Sequence, residues 1–172
     1  MPGPRSSPRP RTASLAMALA CVVICGAAPS MSCAAVSRLD DSASPRPQVR
    51  GDFANAQGMD GNMVVLPFGR IEYRLATAPH VGRRARIFYV IPPAIVGLRS
   101  PAGLQVQWRA GGVFASGTGR PGDRVQVWTG VVQAPWMNET FDLTLRIDPR
   151  ELRLPSGAAL SFESIFEIET FP

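Results

Sequence analysis

Lysine is missing altogether from these 172 residues, histidine occurs once and cysteine three times. Without lysine there is no Schiff-base nucleophile and no Ser–Lys pair. Any Ser–His–Asp arrangement would have to use His80, which lies between Pro79 and Val81-Gly82-Arg83-Arg84, the setting of a solvated turn. Cys21, Cys25 and Cys33 all fall within the first 33 residues. The remainder therefore forms no disulfide and draws its stability from its core. A zinc site needs three or four His, Cys or acidic ligands, which one histidine and sparse acids do not supply. Helical spacing of apolar residues is also missing: no stretch of ten or more residues beyond residue 36 shows it. What survives these exclusions is a β-rich chain with no expected cofactor, metal or enzymatic activity.

The first residues carry a different signature. Arg5, Arg9 and Arg11 precede an apolar run from Ala13 to Ala28, small residues follow in SMSCAAVS, and no acid appears before Asp40. That order predicts a secretory signal peptide over residues 1–35. The run falls short of the roughly 20 apolar residues that span a bilayer comfortably. Cleavage after Ala34 or after Ala35 fits the small-residue rule. Lipidation of Cys33, after cleavage in front of it, is the alternative, with Ser30, Met31 and Ser32 in the preceding places. No adjacent arginine pair precedes the run, which favours the general secretory route. The expected location is the periplasm or cell surface, and a membrane is a partner only if Cys33 is lipidated. From Val36 onward 15 arginines face 13 acids, a balance of +2. That is an ordinary surface, and no nucleic-acid partner is expected. Abundant Arg, Ala, Gly and Pro without Lys points to a GC-rich bacterial genome.

Residues 36–61 are polar, with Leu39, Val49 and Phe53 as the sizeable apolar members, and read as a flexible leader. From residue 62 to 172 the pattern has period two, punctuated by Gly and Pro. Ile71, Tyr73 and Leu75 share one face, and RIFYVI (86–91) reads as a strand buried on both sides. Leu104, Val106 and Trp108 alternate with Gln105, Gln107 and Arg109, and VFAS (113–116) is a short piece between glycines. Val125, Val127, Thr129 and Val131 fall on one face, as do Phe141, Leu143, Leu145 and Ile147. Asp148-Pro149 suits the cap of one helical turn through Leu152. The closing strand runs from Leu160. Seven or eight short strands predict an all-β fold, an antiparallel immunoglobulin-like β-sandwich, with a small β-barrel as the other solution.

Candidate contact residues are few. GRRAR places Arg83, Arg84 and Arg86 in a basic turn, suited to an anionic sugar, a lipid headgroup or an acidic strand. Trp108 alternates with core residues and is expected inside. Trp128 is out of phase with its valines, and Trp136 lies in a loop, APWMNET, as the best aromatic for outside contact. Glu163, Glu167 and Glu169 share one face of the last strand, where they would guard a sheet edge.

That last strand, SFESIFEIETFP, alternates Phe162, Phe166 and Ile168, ends with a penultimate Phe171 of opposite parity, and follows Gly157. In these features, and in the polar leader, the chain resembles subunits of chaperone–usher pili. The resemblance implies an immunoglobulin-like sandwich lacking one strand, completed by a neighbour's N-terminal extension. It also implies other subunits or a periplasmic chaperone as partners, meeting the chain at Phe162, Phe166, Ile168 and Phe171. A periplasmic or surface binding module for carbohydrate or protein, resting on Trp136, Trp128 and the arginine turn, is the competing expectation.

Overall fold

The computed structural model describes residues 35–45, 48–51, 56–154 and 160–171. The segment expected to be a signal peptide, with Cys33, lies outside them, apart from Ala35. In chain order the strands are β1 (Ala35–Arg38), β2 (Gln48–Gly51), β3 (Gly58–Asp60), β4 (Met63–Ala76), β5 (Arg84–Val90), β6 (Leu104–Ala110), β7 (Gly117–Gly119), β8 (Arg124–Val131), β9 (Trp136–Ile147), β10 (Leu160–Glu163) and β11 (Ile165–Phe171). They form a four-stranded sheet ordered β1-β11-β5-β8, a five-stranded sheet ordered β3-β4-β9-β6-β7, and a β2–β10 pair. Every pairing is antiparallel. The fold is an all-β sandwich.

Alternation accounts for the long strands. Ile71, Tyr73 and Leu75 of β4, Leu104, Val106 and Trp108 of β6, and Phe141, Leu143, Leu145 and Ile147 of β9 are all buried. A one-residue slip would turn each set to solvent, so burial pins the register. Ile87 and Tyr89 of β5 and Phe166 and Ile168 of β11 close the core from the other sheet. Aromatic rings from both sheets meet at its centre. Tyr73 lies 4.9 Å from Phe166, Tyr89 lies 4.9 Å from Trp108, and Trp108 stacks on Phe141 at 6.1 Å. Such pairs contribute about 0.5–1.5 kcal/mol each beyond their buried area. The turn after Ile147 also follows expectation: Asp148 accepts the amide of Arg150 at 3.0 Å and caps a single 3-10 turn over Pro149–Glu151.

Four expectations need correction. The leader is part of the sandwich: β1 pairs with β11, Leu39 is 1% exposed, and β2 and β3 pair with β10 and β4. Its low apolar content suffices because Leu39 is the one apolar side chain buried from the first crossing, beside the polar Asp41 and Ser44. VFAS is a turn rather than a strand, tucking Phe114 into the core, and β7 is the Gly-Thr-Gly that follows. In β8 a bulge opposite Ile87 and Phe88 leaves Val127 without a ladder partner, so the alternation reverses there. Thr129 and Val131 turn outward, while Trp128 packs partly buried against the core. Finally, GRRAR is a turn only at its start: Gly82 and Arg83 end the connection from β4 in one sheet to β5 in the other, and Arg84, Ala85 and Arg86 open β5. Gly82 provides the left-handed φ of +83° there, a conformation that costs a residue with Cβ.

Candidate functional site

The closing strand splits into two working halves at Ser164. Phe162 and Leu160 of β10 and Phe166 and Ile168 of β11 keep one parity and are buried. Ser164 shares that parity and is fully buried between them. Its hydroxyl lies 3.2 Å from the Tyr73 phenol and 2.9 Å from the Tyr89 phenol. These hydroxyls link one sheet to the other at the point where the strand changes partner from β2 to β1 and β5. Burial pushes both phenols above their ordinary range, Tyr89 furthest. Phe162, Phe166 and Ile168 are therefore core, unavailable for direct contact while the sandwich is closed.

β11 was expected at an edge, but it lies between β1 and β5. Arg38 stands opposite Glu167 and Ala35 opposite Thr170 on one side, while Phe171 faces Arg84 on the other. The acids on the outer faces of β10 and β11 are engaged by arginines. Glu163 meets Arg38 at 2.7 Å, and Glu167 meets Arg124 at 2.7 Å, with Glu169 at 3.8 Å from the same guanidinium. Arg124 also lies 3.4 Å above the Phe88 ring, which explains how an aromatic on the outer face remains covered.

Phe171, of opposite parity, does come to the outer face. The ladder aligns Phe171, Arg84 and Val131 in one row, with Glu169, Arg86 and Thr129 in the next. Arg86 lies 4.8 Å over the Phe171 ring. Arg83 follows Gly82 in the adjoining loop, and all three arginines are exposed. His80, in the 3-10 turn before them, is half-buried with Nδ1 unpartnered among the described residues. Its proton affinity is lowered by burial and by Arg83. The structure thus gathers Arg83, Arg84, Arg86 and Phe171 at one end of the four-stranded sheet. Trp136 is apart from them, on the first position of β9 rather than in a loop, 39% exposed with Arg74 at 4.7 Å from its ring.

Sequence reasoning missed the N-terminal crossing. After β1, the Leu39 amide donates to the Phe166 carbonyl, then Asp40 accepts the amide of Ala76 and the Ser44 hydroxyl accepts that of Arg74. The segment therefore passes from the outer edge of β11 to the edge of β4. Asp41 is buried with Oδ2 unpartnered among the described residues, and desolvation raises its proton affinity. Leu39 among polar neighbours was the one visible signal. A further feature is an open depression of about 630 Å³ on the outer face of the five-stranded sheet, lined by Gln107, Arg109, Ser116, Thr118, Asp142 and Thr144.

Among the described residues, no three His, Cys, Asp or Glu side chains converge as a metal site. No helix there is long and apolar enough to cross a membrane. Comparison with protein-family models and with curated proteins finds no match to this chain.

Proposed function

We propose that this chain is an exported bacterial structural or interaction protein that joins partners by strand addition at the β11 edge. The supporting observation is β1. It occupies that edge with four residues, all exposed, in an antiparallel register from Ala35 opposite Thr170 to Arg38 opposite Glu167. A strand that buries no side chain is held by backbone hydrogen bonds and one ion pair, so a second strand of the same form can replace it at little cost. The occupant is the same segment of a neighbouring copy, or a chaperone strand before assembly.

A cysteine pair tests this reading. In Val36→Cys with Glu169→Cys the two positions face each other across β1 and β11. Strand addition between copies yields intermolecular disulfides and a ladder of covalent oligomers under oxidation. An exclusively intramolecular disulfide at every protein concentration, with no oligomer, refutes it.

A second reading is favoured by the polar depression over β9, β6 and β7. There a self-complemented monomer acts as a binding module for a polyhydroxylated or peptide ligand. Arg109 stands directly opposite Asp142 in the ladder, so that donors and acceptors alternate along its floor. Loss of ligand binding in Arg109→Ala, with β1 locked in place, would identify this reading.

A further inference from the structure

We infer that the end of the four-stranded sheet bearing Arg83, Arg84, Arg86 and Phe171 is a docking surface for an anionic membrane. The charged and apolar patch does not depend on what occupies the β11 edge; only the direction of the chain, the third observation below, takes β1 on its own sheet.

Three observations converge on one end of the molecule. The first is charge. Arg83, Arg84 and Arg86 are exposed, and neither loop beside them, 77–83 or 132–135, contains an acid. The nearest carboxylate in the ladder, Glu169, lies within 3.8 Å of Arg124 and is drawn toward that guanidinium. The second is apolar surface interleaved with that charge. Val81 is 48% exposed, Val131 is 44% exposed, and Phe171 shares a row with Arg84 and Val131. Arginine stems over exposed aliphatic and aromatic groups match the boundary between headgroups and acyl chains, where stems bury and guanidiniums reach phosphate.

The third is the direction of the chain. Ala35 pairs with Thr170, and Thr170 with Ala85, so β1 begins beside Phe171 and Arg84 and runs away from them. Cys33 precedes Ala35 by two residues, a reach of at most about 7 Å. A lipid on Cys33 would hold the bilayer against this end of the sandwich rather than against either outer face. An acidic polypeptide would use the arginines but has no need of Val81, Val131 and Phe171 around them.

The experiment uses the exported protein in its natural form and as Cys33→Ser, so that no lipid chain contributes. Each is mixed with sedimenting vesicles of phosphatidylethanolamine with 30% phosphatidylglycerol, or of phosphatidylcholine alone. The expected result is salt-sensitive binding of the Cys33→Ser protein to the anionic vesicles only. Three charges near such a surface contribute on the order of 100-fold to partitioning, and Arg83→Gln, Arg84→Gln and Arg86→Gln together should remove that factor. The lysine versions of the same three changes should retain it, which separates loss of charge from loss of fold. Arg99→Gln, an exposed arginine in the loop between β5 and β6, should leave binding unchanged. Equal binding to both vesicle types overturns the inference, as does no binding to either or an unchanged triple-glutamine variant. Binding to soluble polyglutamate with no vesicle binding also overturns it, in favour of an acidic protein partner.

Discussion

β9 meets β4 along a ladder running from Val64–Ile147 to Ala76–Trp136, and its inward side chains from Glu139 to Ile147 are buried. β1 meets β11 over four residues, each of them exposed. Both are antiparallel pairings with regular hydrogen bonds, yet different forces set them. In the first, core burial fixes register and the backbone ladder follows. In the second, the ladder is nearly all there is, and Leu39 is the one side chain that fastens the segment to the core. Strand addition, docking and exchange belong to places of the second kind, because little burial has to be undone there.

The strongest break of this contrast is in the core itself. Phe141→Ala or Phe166→Ala should cost about 3–5 kcal/mol, the usual range for removing a large aromatic from a packed interior. Chemical denaturation measures it, and a loss under 1 kcal/mol would mean that the aromatic centre is not packed as described. Leu39→Ala comes next, at about 2–4 kcal/mol for its own buried side chain. Its specific signature is local: amide exchange at residues 36–38 should accelerate more than exchange in β9. If the two accelerate equally, the N-terminal segment is one cooperative unit with the core and the contrast fails.

Ser164→Ala should cost about 1–3 kcal/mol, because it removes the shared partner of two buried phenols. Smaller again is the effect of Asp41→Asn, which depends on pH. Burial raises the Asp41 carboxyl, Glu163 and Asp40 add to the rise, and its own backbone amide and Arg38 oppose it; Tyr73 is the other titratable group facing it. A group raised in the fold contributes stability that is complete below its unfolded value and lost as pH climbs through the folded one. Relative to wild type, Asp41→Asn should therefore be the more stable at neutral pH, with the advantage shrinking in mild acid. Thermal melts across that range check the sign. The smallest effect belongs to Arg124→Ala, about 0–1 kcal/mol, since its pairs with Glu167 and Glu169 are partly exposed.

Much of the sandwich was legible because alternation is a local property. Tyr73, Trp108, Phe141, Leu143 and Phe166 could each be assigned inward from neighbours within a few residues, and each is buried. The parity of Phe171 could be read in the same way, and it is why that ring is outside with Arg86. The bulge in β8 was not legible. In RVQVWTGVV Trp128 is out of phase with the valines, yet only the partner strand, at Ile87 and Phe88, shows that the phase changes there. The candidate contact residues divided along the same line. Arg83, Arg84 and Arg86 stand out as a basic cluster, although only the fold puts Arg84 and Arg86 in β5, whereas Phe162, Phe166 and Ile168 had to be placed by their neighbours before they could be recognised as core.

By itself the sequence determined the class of fold, the inward faces of β4, β6 and β9, and the cap at Asp148, since each depends on residues two to four positions apart. Tertiary structure alone decided that β11 has neighbours on both sides, that Leu39 belongs to the core, and that Ala35 begins beside Arg84 and Phe171. Those outcomes join residues more than 100 positions apart in some cases, as in the Arg38–Glu163 pair, separated by 125. A four-residue strand with every side chain in solvent carries no periodic signal. Its place is chosen by the unpaired amides and carbonyls of the edge it covers, and those exist only once the sheet has formed.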